Sequence, residues 1–310
     1  MNDKILVSVI IPTLARPDIV YNLVSDLLKQ SYENFEILVV DQTQEENIKL
    51  NNLTVGSAAR LKYFRLDKEG ICLAKNYGIK KAKGEIIIFL DDDVEIKNPD
   101  FIKYHVANYL NPEIGGVGGR VIDKNIRLNR QQTGLVCRVT KTGRVYPNAD
   151  SDFKQEINAP RGGNVSYRKK YIEEIGGFDE RFIGNAMREE TDFSLRIFKN
   201  GHKIIFEPKA DLVHLGVGRG GSRQKDRLDW YFDFFHNETL FFLKHFPKIY
   251  FPILLFRKLR PIVACMAWYG YLRPKALMTP WRGFMAGYRS YKVEKSQDTR
   301  NNDQTNSNIQ

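Results

Sequence analysis

The sequence predicts an α/β protein built on a doubly wound sheet with helices appended at its C-terminal end. Two observations carry this. Short, continuous apolar runs rich in β-branched residues end on a carboxylate, and segments of helical period separate them. The first run, residues 6–11 (LVSVII), is apolar throughout and closed by Pro12, as expected of a strand covered on both faces. Pro17 opens a helix in which Ile19, Val20, Leu23, Val24, Leu27 and Leu28 recur at helical spacing. Residues 36–40 (EILVV) form a second strand ending at Asp41, and residues 61–66 a short third. Residues 71–83 read as a helix stopped by Gly84, and residues 85–90 (EIIIFL) as a fourth strand ending at Asp91.

The second half is less regular. A strand is expected over 115–122 and a loop entering a strand over 159–167. Short helices are expected over 168–175 and 189–199, short strands over 203–206 and 211–214, and a long helix over 227–245. Residues 128–152 alternate too weakly for assignment. Residues 296–310 are polar and rich in Asn and Gln, which predicts disorder. The expected division is a catalytic domain over 1–222, a helical, basic and aromatic region over 223–292, and a disordered tail over 293–310.

The chain has 310 residues and a formal charge of +11. That charge is concentrated: residues 219–289 hold thirteen Lys or Arg against four Asp or Glu. Such a segment suits phosphorylated substrates, anionic lipid or nucleic acid. Three scattered cysteines, Cys72, Cys137 and Cys265, form neither a disulfide framework nor a zinc site, which implies a reducing compartment. No secretory leader is recognisable at the start. Residues 249–272 are apolar but interrupted by Arg257, Lys258 and Arg260, leaving twelve uncharged residues at most. A membrane span needs about 20, so these residues are expected to lie on a membrane surface or to pack on the domain.

The chemistry begins with Asp91, Asp92 and Asp93. Adjacent carboxylates after a buried strand repel one another and raise each other's pKa, so a positive partner is expected. Alternate residues of an extended chain share a face, which pairs Asp91 with Asp93. Oxygen ligands on one face suit Mg²⁺ or Mn²⁺. In open α/β sheets, ligands bind beyond the carboxyl ends of the strands, where Asp41 and these three residues fall.

The run Leu73-Ala74-Lys75-Asn76-Tyr77-Gly78, followed by Ala82-Lys83-Gly84-Glu85-Ile86-Ile87-Ile88-Phe89-Leu90-Asp91-Asp92-Asp93, resembles family 2 glycosyltransferases of the GT-A fold. So do Val9-Ile10-Ile11-Pro12-Thr13, Val39-Val40-Asp41, Gly162-Gly163-Asn164, Gly176-Gly177-Phe178-Asp179-Glu180, Glu189-Glu190-Thr191-Asp192 and His214, all in the family's order. The resemblance covers roughly residues 5–223. It implies an inverting, metal-dependent enzyme that moves a sugar from a UDP- or dTDP-sugar to a glycan or lipid-linked acceptor in surface polysaccharide biosynthesis.

By the same resemblance, Pro12, Thr13 and Asp41 match the nucleoside pocket, and Lys75, Asn76, Asp91 and Asp92 the rest of the donor site. Asp92, facing away from its neighbours, has a structural part there. Asp93, Asp91 and His214 match the site for Mn²⁺ or Mg²⁺, and Arg219 and Arg223 a loop over the diphosphate. Gly163 and Asn164 match the acceptor side. The base falls in Glu189-Glu190-Thr191-Asp192, where the family has Glu-Asp-x-Asp. Glu190 stands in the base's place, with Glu189 and Asp192 as alternatives. Lys75 replaces an arginine frequent in the family, and Gln42 an Asp or Asn. The processive-synthase signature QxxRW is absent. The expected place is cytoplasmic, peripheral on the inner face of the membrane, with no nucleic-acid partner.

Two other classes are weighed. A nucleotidyltransferase would carry a glycine-rich loop after the first strand, and Leu14-Ala15-Arg16-Pro17 has no glycine. A basic nucleic-acid- or lipid-binding protein leaves the acidic clusters unexplained.

Overall fold

The computed structural model describes residues 5–56, 60–124, 135–218, 220–221, 226–269 and 274–307, with side chains described except at 54–56, at 269 and beyond 293. It divides into two units. The first comprises residues up to Thr140, Arg144–Asp179 and Glu190–Arg223; the second comprises Lys141–Gly143, Glu180–Glu189 and Gln224–Gln310.

The first unit opens with β1 (Val7–Thr13), α1 (Pro17–Leu27), β2 (Phe35–Asp41), α2 (Ile48–Gly56), β3 (Leu61–Arg65), α3 (Ile71–Lys81) and β4 (Ile86–Leu90). Then come β5 (Val94–Glu95), α4 (Phe101–Ala107) and β6 (Ile114–Asp123). A small hairpin, β7 (Arg138–Val139) with β8 (Val145–Tyr146), lies in the stretch that resisted assignment from sequence. The unit continues with β9 (Gln155–Ile157), β10 (Asn164–Arg168), α5 (Lys169–Glu174), α6 (Glu189–Lys199) and β11 (Lys203–His214).

The sheet runs β3-β2-β1-β4-β10-β6-β11-β5, with β9 beside β11. β1, β2, β3 and β4 are parallel, as their continuous apolar runs predict. β10 is antiparallel to both β4 and β6. That reversal positions the site: the N-terminal end of β10, Asn164, lies opposite Leu90, the last residue of β4. The Gly162-Gly163 loop therefore reaches the carboxyl edge of the parallel strands. The two short strands expected over 203–206 and 211–214 are one strand, β11, whose register against β6 shifts between Glu207 and Asp211, around Pro208. Proline cannot donate to a ladder, and the irregularity accommodates it.

Under the site, Phe178 stacks on Phe193 at 4.0 Å between centroids, and Phe89 meets Phe178 edge-on at 5.2 Å. His105 is fully buried and shared between Ser166 Oγ and Asn164 Oδ1, each at 3.0 Å. Burial pushes its pKa down to about 4, against the Asn164 contact, so the ring is neutral in this floor.

The second unit is helical: α7 (Arg227–His245), α8 (Phe251–Tyr269) and α9 (Pro274–Ser307). Asp226 caps α7 by accepting from the Leu228 N–H at 2.7 Å. Tyr231, Phe235, Cys265 and Phe284 form its core. α9 approaches α7 closely because it carries glycine there; a Cβ at Gly283 would fall 2.7 Å from the Phe232 carbonyl oxygen. The tail expected to be disordered continues α9 to Ser307. From Tyr288 to the last residue there is no glycine or proline to stop a helix.

Candidate active site

The sheet brings four strand ends together. β1 ends at Thr13 and β4 at Leu90, immediately before the three aspartates. β6 and β11 run parallel and end side by side, with Asp123 in register with His214.

The aspartates follow β4 in a turn, not in the extended chain from which their alternation was expected, and their side chains still divide. Asp92 accepts from Thr13 Oγ1 at 2.8 Å and from Arg16 Nη1 at 2.5 Å. Burial raises its pKa, with Arg16 and Thr13 opposing. Arg16 also lies 3.2 Å from Asp93 Oδ2 and donates to the Val217 carbonyl at 3.1 Å. It supplies the positive charge that the carboxylates require. Asp93 Oδ2 further accepts from the Val217 N–H at 3.2 Å. Burial opposes ionisation of Asp93, but His214 and Arg16 outweigh it and hold the carboxyl below its ordinary range.

Asp93 Oδ1 faces His214 Nε2 at 3.5 Å. The other ring nitrogen, Nδ1, lies 2.9 Å from Asp123 Oδ1, and Asp123 is gripped by Arg161 at 2.5 and 2.8 Å. The contact with Asp93 raises the His214 pKa against burial, and Asp123 adds to it. Asp91 accepts no hydrogen bond from any described residue. Its pKa is pushed up to about 6 by burial and then by the charge of Glu190.

One ligand atom each from Asp91, Asp93 and His214 lie within 4.8 Å of one another. These residues fit a divalent cation. Asp93 has one oxygen secured by Arg16 and Val217 and the other turned toward His214. Asp123 holds His214 by Nδ1, leaving Nε2 as the donor atom. Asp91 is an ionisable oxygen ligand at present repelled by its neighbours. A carboxylate behind a ligating imidazole is the usual way such a ring is oriented. If the trio holds Mn²⁺, Asp123→Asn should weaken its binding about 10–100-fold, read by calorimetric titration of the folded protein, and loss of the carboxylate that Arg161 grips should lower the melting temperature as well.

Across from this trio stands Glu190, on the first turn of α6. Its Oε1 accepts from Lys75 Nζ at 2.7 Å, and Lys75 is itself 1% exposed. The Gly162-Gly163 loop passes between the two groups. A Cβ at Gly162 would overlap the Glu190 carboxylate, and one at Gly163 would overlap that of Asp91. Gly163 also has φ +78, a left-handed conformation that favours glycine.

Other expected site residues are placed differently. Asp192 is fully buried and bonded to Arg196 Nε at 2.9 Å, and Glu189 is 4% exposed. Asp41 has both oxygens engaged: Oδ1 by the Thr43 N–H at 2.8 Å in an Asx turn, Oδ2 by the Tyr63 hydroxyl at 2.8 Å. Asn76, expected at the donor, instead clamps the turn after Gly177, accepting from the Phe178 N–H at 2.8 Å and donating to its carbonyl at 2.9 Å. Asn164, expected at the acceptor, points into the sheet and donates to the Arg120 and Ala210 carbonyls, both at 2.9 Å. It thereby ties β10 to both β6 and β11 at the β11 irregularity. Pro12 and Thr13 end β1 beside Asp92. Arg219 and Arg223 lie outside the described residues. Arg16, Asp123 and Arg161 were not anticipated. Asp123 carries the same signal as Asp41 and Asp91, a carboxylate at the end of a strand, and is legible in retrospect.

Residues 8–176 match the family model described as Glycosyl transferase family 2. The O-antigen biosynthesis protein RfbC of Myxococcus xanthus is 27% identical over 223 residues, covering 67% of this chain and 17% of that protein. The chondroitin synthase of Escherichia coli is 27% identical, covering 63% of this chain and 32% of that protein. The chain thus spans only 17% and 24% of the first two curated relatives it matches. Among solved structures, a mannosyltransferase of Pyrobaculum calidifontis in complex with GDP-mannose and Mn²⁺ aligns with a TM-score of 0.56 at 18% identity, covering 94% of this chain and 79% of that one. Residues 1–349 of TarS from S. aureus, in complex with UDP-GlcNAc, align with a TM-score of 0.58 at 19% identity, covering 76% and 66%. Both similarities are similarities of fold, the GT-A fold. The family match takes in β1, the aspartates and the Gly-Gly loop, and covers more than half of the 310 residues, so the chain belongs to glycosyl transferase family 2.

Proposed function

We propose that the chain transfers a sugar, with inversion, from a UDP- or dTDP-sugar to a hydroxyl of a glycan or lipid-linked acceptor in surface polysaccharide biosynthesis. One observation carries this reading: Glu190 faces the Asp91–Asp93–His214 trio across a loop of two glycines. A cation on one side of this loop and a base on the other, both in contact with its backbone, suit attack by an acceptor hydroxyl on a sugar bound beside them.

In the transfer, the acceptor oxygen forms a bond to the anomeric carbon from the face opposite the leaving group. The bond from that carbon to the diphosphate oxygen breaks, and its electron pair leaves with the diphosphate. Glu190 takes the hydroxyl proton. Lys75 holds Oε1 of Glu190, so that Oε2, above Gly162, meets the acceptor. Asp91, Asp93 and His214 would hold Mn²⁺ or Mg²⁺, which when bound neutralises charge on the diphosphate. Arg16 keeps Asp92 turned away and one oxygen of Asp93 fixed. By the family resemblance, Arg219 and Arg223 would contact the diphosphate. Glu189 and Asp192 are less suitable as the base, because the first is almost and the second wholly enclosed. Relatives named for O-antigen biosynthesis and chondroitin synthesis support the polysaccharide setting. The fold neighbours were solved with GDP-mannose and UDP-GlcNAc, which supports a nucleotide-sugar donor without selecting its base.

The test is a thermal-shift panel of nucleoside diphosphates and sugar nucleotides with Mn²⁺, followed by hydrolysis of the best donor. A ligand that binds the folded state selectively raises the melting temperature. A rise with UDP or dTDP that needs Mn²⁺ and disappears in Asp93→Ala is expected. No response to either nucleotide would end this reading.

A further inference from the structure

α8 is inside out. Its inward face carries Lys258, 9% exposed and bonded to Glu238 Oε2 at 2.9 Å, beside Leu254 and Cys265. Its outward face carries Phe256, Leu259 and Val263 at helical spacing, 74%, 52% and 51% exposed. Trp268 near the end of α8 and Trp281 on α9 are 62% and 66% exposed. A soluble helix normally keeps its outward face polar, since leaving a phenylalanine in water forgoes the gain from burying it.

The charge around this face has one sign. Residues 239–293 contain ten Lys or Arg and no Asp or Glu. Of these, Lys248, Arg260, Lys275 and Arg282 are exposed. Apolar side chains flanked by cations, with indoles that favour the water–lipid boundary, match an anionic bilayer surface. No helix of the described residues is long and apolar enough to cross a membrane. A protein partner would need an acidic, apolar surface of its own; a bilayer containing anionic lipid offers both properties everywhere.

We infer that the outward face of α8, with Trp281 of α9, seats the chain on an anionic lipid bilayer, α8 lying in the plane of the headgroups. This goes beyond the proposed sugar transfer and does not depend on it.

The test uses the full chain without sugar nucleotide and phosphatidylcholine vesicles with and without phosphatidylglycerol. The protein should sediment with the anionic vesicles, and its tryptophan emission should shift to shorter wavelength. Bromine-labelled lipid should quench that emission in the unaltered protein, which needs no variant to fold. Phe256→Ser should lower the partition coefficient about tenfold or more, and Arg260→Gln and Lys275→Gln roughly fivefold each. All three should leave the melting temperature unchanged. Failure to sediment, indifference to phosphatidylglycerol, or unchanged binding by Phe256→Ser overturns the inference. So does lipid-free self-association that Phe256→Ser abolishes, which would make a second copy the occupant of this face. Because no donor is present, failure here leaves the sugar-transfer reading intact, and loss of donor binding leaves this one intact.

Discussion

Glu190→Gln should lower kcat by about 10³-fold, within the range for loss of a general base, while donor and metal binding stay nearly unchanged. The amide keeps an oxygen for Lys75 Nζ, so the buried ammonium retains a partner. What it loses, in the proposed transfer, is the ability to accept the acceptor's proton. Single-turnover transfer with saturating donor and Mn²⁺ separates this effect from binding. Asp192→Asn should behave differently. Its side chain is fully buried against Arg196, so it should lower the melting temperature and leave the chemical step of the folded fraction largely intact. A companion variant, Gly162→Ala, tests the geometry. Its methyl would occupy the place of the Glu190 carboxylate, so it should reproduce the loss in kcat without removing an acid. If Glu190→Gln retained full turnover, the proton would have to go elsewhere.

Glu238→Ala should destabilise the helical unit by about 3–5 kcal/mol, the range for removing one partner of a buried ion pair. Glu238 is 4% exposed and lies between Arg188, at 2.8 Å, and Lys258, at 2.9 Å. Without it two cations are left with no carboxylate between them. Burial alone would raise the Glu238 pKa, but Arg188 and Lys258 outweigh it and hold it below the ordinary value of 4.5. The sign follows: a depressed carboxyl stabilises the fold above its ordinary pKa, and that contribution is lost as pH falls through the depressed value. Urea unfolding at neutral pH should show the deficit, and the gap between Glu238→Ala and the unaltered chain should narrow in acid. Glu238→Gln, which still accepts hydrogen bonds, should cost less. The effect has a second route. Ala186 and Arg188 have φ of 48° and 82°, backbone that non-glycine residues adopt under constraint. Asn237 of α7 secures the same segment, donating to the Ile183 carbonyl at 2.9 Å and accepting from its N–H at 3.1 Å. Removing Glu238 releases Arg188 from this anchorage.

The central strands were legible because burial on both faces leaves uninterrupted apolar runs, as at Val7–Thr13 and Ile86–Leu90. Arg227–His245 was legible because its period and its cap agree. The direction of β10 was not, since a buried strand has the same composition whichever way it runs. β11 read as two strands because Pro208 interrupts the apolar pattern while the strand passes through it. The short helix α4 went unnoticed because seven residues give barely two turns of periodicity. In the site, Asp91, Asp93, His214 and Glu190 were expected through motif order, and the fold brings them near one another. Their supports were not, because Asp123 is 91 positions from His214 and meets it only through the β6–β11 pairing. Asn76 and Asn164 illustrate the converse. Sequence marks them as site residues, and the structure uses both amides to hold the main chain that carries the site.

The pairing of β1 with β4 has a consequence for how this protein can change. Arg16 follows β1 and Asp92 follows β4, and their contact fixes the phase of the three aspartates. A strand presents successive side chains to opposite faces, so sliding β4 by one residue would break the contact of Arg16 with Asp92 and move Asp91 and Asp93 away from His214. Apolar residues within β4 can exchange for one another, but a single insertion or deletion there inverts the polarity of the site at once. Within residues 86–93, then, it is the number of residues, more than the identity of each apolar one, that holds the carboxylates in place.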